Sequence, residues 1–291
     1  MSNNSSADKL NLEKKIQKTI RALQNDTSTT EYKARELFSK LGYSVYQDYY
    51  KDWDGDKDIS REIDVSALRM INYGKGLEQK PLLVEIIADV KFRESDLEMV
   101  LIAFDNEPID KSMILTGKIL DPKKERRKHL IKWFIDPERK LPYMDLASLD
   151  SVNIYQDFFI KEFGGKISKK RSSKEIIKNG SKQVLSALNS NIKNFSSYKM
   201  NDPIIMIPML IFGNKIQLVE GSLKEIINEK YEITDFVIYR AQVPSNLISS
   251  NYISGLTFPV IFTTLDKLEK TLKSIQNLVI EALNTTPPKP A

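Results

Sequence analysis

Asp89 and Lys91 stand two residues apart at the end of the run Leu82-Leu-Val-Glu-Ile-Ile-Ala-Asp-Val-Lys91. Successive side chains in a strand alternate between faces, so Glu85, Ile87, Asp89 and Lys91 share one face and Leu82, Val84, Ile86, Ala88 and Val90 share the other. A carboxylate and an ammonium are thereby held roughly 6–7 Å apart along the chain. Upstream, Asp64 projects opposite to Ile63 and Val65 in a second alternating segment. If those two strands meet, two like charges sit together, which is unfavourable unless a cation neutralises them. Mg²⁺ does so with one or two carboxylates and waters, leaving positions for a phosphate oxygen and an attacking water. Lys91 beside it would stabilise charge building on the phosphate or orient the water.

Composition narrows the metal. The 291 residues contain no Cys and one His, which removes disulfide frameworks, thiol nucleophiles and Cys/His zinc sites. A resident ion must therefore be a hard one on oxygen ligands, Mg²⁺, Mn²⁺ or Ca²⁺. A Ser-His-Asp triad would have to use His129, which lies in a basic run far from the acids and reads as a surface residue. With 41% hydrophobic and 29% charged residues the chain is globular in composition, and its net charge of +5 permits a nucleic-acid partner without requiring one. No glycine-rich nucleotide loop or G-x-S-x-G elbow is present, and the acidic stretch Asp52, Asp54, Asp56, Asp58 lacks the EF-hand's closing Glu, Ile63 standing there. The absence of a long apolar span or a secretory leader predicts a cytoplasmic protein.

Several elements must position these residues. Ser28, Thr29 and Thr30 offer N-cap oxygens for a helix with Glu31 in its first turn, an apolar stripe at Ala34, Leu37, Phe38 and Leu41, and a stop at Gly42. Strands are predicted at Tyr43 to Tyr50, around Ile63, Val65 and Ala67, at Leu82 to Lys91 and at Met99 to Phe104, with Asp52 to Asp58 as a turn, a set that can close one mixed sheet. Leu10 to Leu23 has helical spacing, Pro122 to Phe134 reads as a basic helix, and Ser172 to Phe195 as a stronger one. Strands at Ile204 to Phe212, Ile216 to Val219, Phe236 to Arg240 and Val260 to Phe262 precede a last helix from Asp266 to Leu283.

The order capped helix, turn, Ile63-Asp64, turn, Asp89-Val90-Lys91 resembles the PD-(D/E)xK nuclease superfamily, the restriction-endonuclease-like fold. Two departures stand out: Ile63 replaces the usual Pro, and the second acid is Asp89 where Glu is commoner, which leaves room for Glu85 to assist. The resemblance implies an α/β fold, a mixed sheet flanked by helices, here with additional C-terminal strands and a terminal helix. It also implies metal-dependent hydrolysis of DNA by an Mg²⁺-dependent endodeoxyribonuclease, linked to restriction or anti-phage defence. Asp64, Asp89 and Glu31 would hold Mg²⁺ or Mn²⁺, Lys91 would complete the catalytic set, and Gln183 would be a polar accessory on the later helix.

The nuclease-like core is placed at 25–200, after an N-terminal helix or extension at 1–24. A C-terminal α/β portion packed on the core follows at 201–283, then a disordered tail at 284–291. The basic stretch Lys161 to Lys182 offers Lys169, Lys170, Arg171 and Lys174 for phosphate contact, while Lys123 to Lys128 reads as a solvated helix face. Tyr43, Tyr46, Tyr49 and Tyr50 near Trp53 could stack on bases, but their alternation favours packing on the core. The expected partner is DNA, with RNA left open, and a homodimer would supply two sites for two strands. Two other readings are carried: a catalytically inactive nuclease-like module binding nucleic acid or protein, and a structural protein with an incidental Asp-x-Lys strand.

Overall fold

The computed structural model describes residues 14–20, 27–54, 57–73, 79–91, 98–104, 134–135, 154–155, 157–163, 173–197, 204–213, 216–242 and 257–285. Helical residues 14–20 (α1) precede α2 (Thr27–Lys40), β1 (Ser44–Asp54), β2 (Lys57–Tyr73), β3 (Lys80–Lys91) and β4 (Glu98–Phe104). Then come β5 (Phe134–Ile135), β6 (Ile154–Tyr155), β7 (Asp157–Phe163), α3 (Ser173–Ser197), β8 (Ile204–Phe212) and β9 (Ile216–Glu220). The chain finishes with α4 (Leu223–Ile227), β10 (Glu232–Thr234), β11 (Phe236–Gln242), β12 (Thr257–Thr264) and α5 (Leu268–Thr285). The basic cluster at 123–128, His129, Lys169, Lys170, Arg171 and the last six residues lie outside the described residues.

An eight-stranded mixed sheet runs in the order β1-β2-β3-β8-β12-β11-β6, with β5 pairing β8. The first two pairs are antiparallel, whereas β3, β8 and β12 run parallel to one another. A parallel neighbour needs a crossover connection, and covered parallel strands are apolar on both faces. That is why all nine residues of β8 are buried, and why Leu82 to Val90 are buried without interruption. The strands after residue 200 are therefore not a layer laid on a finished core: β8 lies in its middle, hydrogen-bonded to the strand that carries Asp89.

Each face of the sheet has its own core. Phe38 and Ala34 of α2 and Leu268, Leu272, Ile275 and Val279 of α5 cover Val65, Ala67, Val84, Ile86, Ala88 and Val90. On the opposite face Ile177, Val184, Leu185 and Leu188 of α3 cover Leu83, Ile87, Leu210 and Phe262. The α2 stripe is the expected one, ending where Gly42 takes a positive φ of 81° that favours glycine. Its start differs: the helix begins at Thr27, so Ser28 to Thr30 lie inside the first turn and Glu31 falls beyond it.

Three expectations about the strands are corrected. First, β4 does not join the main sheet. It pairs β7 and β9 in a second sheet, β10-β9-β4-β7, whose Met99, Leu101, Phe158 and Leu218 enter the core on the α3 side. Second, the acidic stretch is mostly strand: pairing runs out to Asp52 with Ile59, Trp53 with Asp58 and Asp54 with Lys57. Third, Ile63 does not share a core with Val65 and Ala67. A register shift between Tyr46 and Asp48 of β1 breaks the alternation of β2 there, and Ile63 joins the α3-side core. In addition, Phe134 lies in β5 rather than at a helix end, and α5 runs through Thr285.

Candidate active site

The β2–β3 ladder decides which acids meet. Val65 faces Ala88, Ser66 faces Ile87 and Ala67 faces Ile86, so one further step along the same register sets Asp64 against Asp89. The Val90 N–H donates to Asp64 Oδ2 at 2.6 Å, fixing that carboxylate across the strand pair. The Asp64 carboxylate is near enough to that of Asp89 to raise its affinity for a proton. Asp89, Val90 and Lys91 are the last residues of β3, at the carboxyl end of a parallel pair, where open α/β sheets form their binding crevices.

Lys91 closes the group. Its Nζ lies 2.5 Å from Asp89 Oδ2 and donates to Gln183 Oε1 of α3 at 3.1 Å. Asp89 is 4% exposed, and burial pushes its carboxyl well above the usual carboxylate range. The Lys91 ammonium opposes that shift, and the Asp64 carboxylate adds to it. Glu31, Arg61, Glu62, Asp64, Asp89, Lys91 and Gln183 together line a cleft of about 380 Å³. The residues expected from β2, β3, α2 and α3 are thus brought to one place.

Glu85 is not among them. It lies four residues before Asp89, roughly 13 Å along the strand. There its Oε1 accepts from Tyr46 Oη, from Ser66 Oγ at 3.0 Å and from Asn191 Nδ2 at 3.2 Å. This buried carboxylate joins β1, β2 and α3 through hydrogen bonds, so its expected assistance at the metal is replaced by an architectural role. Tyr46 is committed to it, and Tyr43 is buried edge-on against Phe38 with the Arg69 guanidinium 5.6 Å from its ring centre. Of the tyrosines considered for stacking, Tyr49 is 56% exposed.

Two contributors escaped the sequence reading. Arg35 Nε donates to the Asp64 carbonyl at 2.8 Å, and its Nη2 lies 3.6 Å from Glu62 Oε1, so α2 grips the backbone of the residue whose side chain faces Asp89. The signal was the i, i+4 spacing from Glu31, which places both on one side of the helix. Arg35→Ala is expected to cost about 1 kcal/mol of stability and to loosen Asp64 enough to raise the concentration of Mn²⁺ needed for half-saturation. Denaturant melts and Mn²⁺ calorimetry on the same preparation check both effects.

The other is Gly180. A Cβ placed there would come 2.6 Å from Lys91 Cε, 2.9 Å from Asp89 Oδ2 and 3.0 Å from Leu210 Cδ2, all closer than ordinary contact. Only glycine lets α3 press this near the end of β3, and that closeness brings Gln183 to Lys91. A lone glycine inside an otherwise regular helical pattern was the available sign.

The donor set admits a divalent ion, since a buried carboxylate of elevated proton affinity, Asp89, facing a second acid is what a cation relieves, and two carboxylates suffice for Mg²⁺ when water supplies the rest. Among the described residues no three Asp, Glu, His or Cys side chains are grouped so as to hold a metal ion. Glu31 therefore lines the cleft without forming, in this arrangement, a third direct ligand beside the two aspartates. No helix among the described residues is long and apolar enough to cross a membrane. Comparison with family models, with curated proteins and with solved structures finds no match for this chain.

Proposed function

We propose that this protein is a metal-dependent nuclease of the PD-(D/E)xK kind that hydrolyses phosphodiester bonds of DNA. The observation that carries the reading is the pairing of Asp64 against Asp89 with the Lys91 ammonium in the same cleft. Asp64 and Asp89 would hold Mg²⁺ or Mn²⁺, with Glu31 reaching the shell through water. The ion would supply Lewis-acid polarisation of the phosphate and a water of lowered pKa. The protein's own contributions are positional and electrostatic. Val90 N–H and Arg35 hold Asp64 from two sides, and Gln183 aims the Lys91 ammonium into the cleft, where it would offset charge on the phosphate oxygens.

A binding module without catalysis is the second reading, favoured by the close Lys91 contact on Asp89 Oδ2, which a metal would have to displace. Supercoiled plasmid incubated with Mg²⁺ or Mn²⁺ separates the two. Wild type is expected to nick or linearise it, Asp64→Ala to be inactive, and Lys91→Ala to be slower by about 10²-fold or more. Absence of cleavage on any DNA or RNA, together with absence of Mn²⁺ binding, would leave the binding-module reading in its place.

A further inference from the structure

A second cleft, of about 400 Å³, lies along α3 and is lined by Lys174, Lys178 and Lys182 with Glu175, Asn179 and Ser181, and from β11 by Tyr239, Ala241 and Gln242. The lysines are four residues apart, so they stand on one side of the helix about 6 Å apart along its axis. That interval is comparable to the step between successive phosphates of an extended strand. Lys174 is partly committed, 3.5 Å from Asp157 Oδ1 and with Nζ 5.5 Å from the centre of the Phe158 ring. Lys178 and Lys182 form no ion pair among the described residues, and both are exposed. Glu175 is the one acid in the lining, so the cleft carries an excess of positive charge.

The floor of the cleft is anchored in the core. Tyr239 is packed against Phe158 and Phe262, with ring centres 5.1 Å away in each case, and is 7% exposed. Lys182 belongs to this cleft and the next residue, Gln183, belongs to the catalytic one, so α3 is the wall the two share.

We infer that this cleft holds the sugar-phosphate backbone of the nucleic-acid strand whose scissile bond lies beside Lys91, with Lys178 and Lys182 neutralising consecutive phosphates. The inference deepens the nuclease reading and rests on it for the identity of the ligand, but binding is measurable without turnover. The test uses a fluorescein-labelled mixed-sequence DNA oligonucleotide, single-stranded and duplex, with the full chain in EDTA, following anisotropy over a series of salt concentrations. The variants are Lys178→Gln, Lys182→Gln, the double substitution, and Lys161→Gln on β7 as a control lysine outside the cleft.

Each cleft substitution is expected to weaken binding several-fold and to lower the slope of log K against log salt by about 0.7 on single strands or 0.9 on duplex. The double variant should lower it by about twice as much. Lys161→Gln should change neither, and circular dichroism should show all variants folded. Binding by wild type with unchanged affinity and slope in the double variant would overturn the inference, as would failure of wild type to bind either oligonucleotide. If the slopes fall as expected but wild type cleaves nothing with Mg²⁺ or Mn²⁺, the backbone cleft stands and the nuclease reading falls. Cleavage by wild type with undiminished binding in the double variant would do the opposite, keeping the nuclease and removing the backbone cleft.

Discussion

Asp89→Asn is expected to stabilise the metal-free protein and to abolish cleavage. In EDTA at neutral pH the wild-type carboxylate is buried and opposed by Asp64, which together outweigh the attraction of Lys91. The folded state thus binds a proton at Asp89 more tightly than the unfolded chain does. Its contribution to stability is complete only below the ordinary carboxylate pKa and declines as pH rises through the elevated folded value. Asparagine removes that decline and can donate its amide hydrogen to Asp64. A gain in stability at neutral pH follows, and it shrinks as the pH falls toward the ordinary carboxylate range.

The same substitution removes one of the two anionic ligands proposed for the metal, and loss of on the order of 10³-fold or more in cleavage is expected, each 1.36 kcal/mol of barrier being tenfold. Added Mn²⁺ should raise the Tm of wild type and leave that of Asp89→Asn nearly unchanged, because only binding to the folded state shifts the equilibrium. Thermal melts from about pH 4 to 8, with EDTA and with Mn²⁺, check the two stability statements, and plasmid-nicking rates check the loss of cleavage. A Tm difference in EDTA that does not widen with pH would contradict the electrostatic account.

Gly180→Ala should damage the site out of proportion to its size. Two effects on stability compete. Alanine in a helix interior is better than glycine by about 1 kcal/mol, while forcing a methyl into a filled space costs about 1–3 kcal/mol. With Lys91 Cε at 2.6 Å and Leu210 Cδ2 at 3.0 Å, the second effect exceeds the first, but only by an amount a folded protein tolerates. The movable neighbour is the Lys91 side chain, so relief comes by swinging its ammonium away from Gln183 and Asp89. A displacement of about 1 Å at a reacting group can cost 10²-fold. The expected result is a folded variant with a modestly lower Tm and cleavage reduced by about 10²-fold, chiefly in kcat. Gln183→Ala, which removes the Lys91 acceptor without adding bulk, should reproduce part of the loss with little change in Tm. Single-turnover rates beside denaturant melts distinguish displacement of Lys91 from general loosening.

The acids and the lysine were legible because strand alternation is strict over Leu82 to Lys91 and because the antiparallel ladder leaves one register that buries Val65, Ala67, Ile86 and Ala88 together. The α2 helix was legible from its stripe and from Gly42 for equally local reasons. What escaped was non-local. A continuous apolar run such as Ile204 to Phe212 announces a strand covered on both faces, but not which strand it pairs. Nothing in Met99 to Phe104 says that it leaves the first sheet for a second. Glu85 misled because its type and face match those of Asp89, whereas its donors, Tyr46, Ser66 and Asn191, come from three distant segments.

The central position of β8 has a consequence for the order in which the molecule is made. While the chain emerges from the ribosome, β3 is paired through β2 on one side only, and its other edge is a long, flat, apolar row of open hydrogen-bonding groups until Ile204 to Phe212 arrives. Such edges recruit other chains, and distant parallel pairing is slow because the loop between partners must close first. The strand that carries Asp89 and Lys91 is thus open to misassembly during synthesis, and the interval before β8 docks is when a chaperone would matter most.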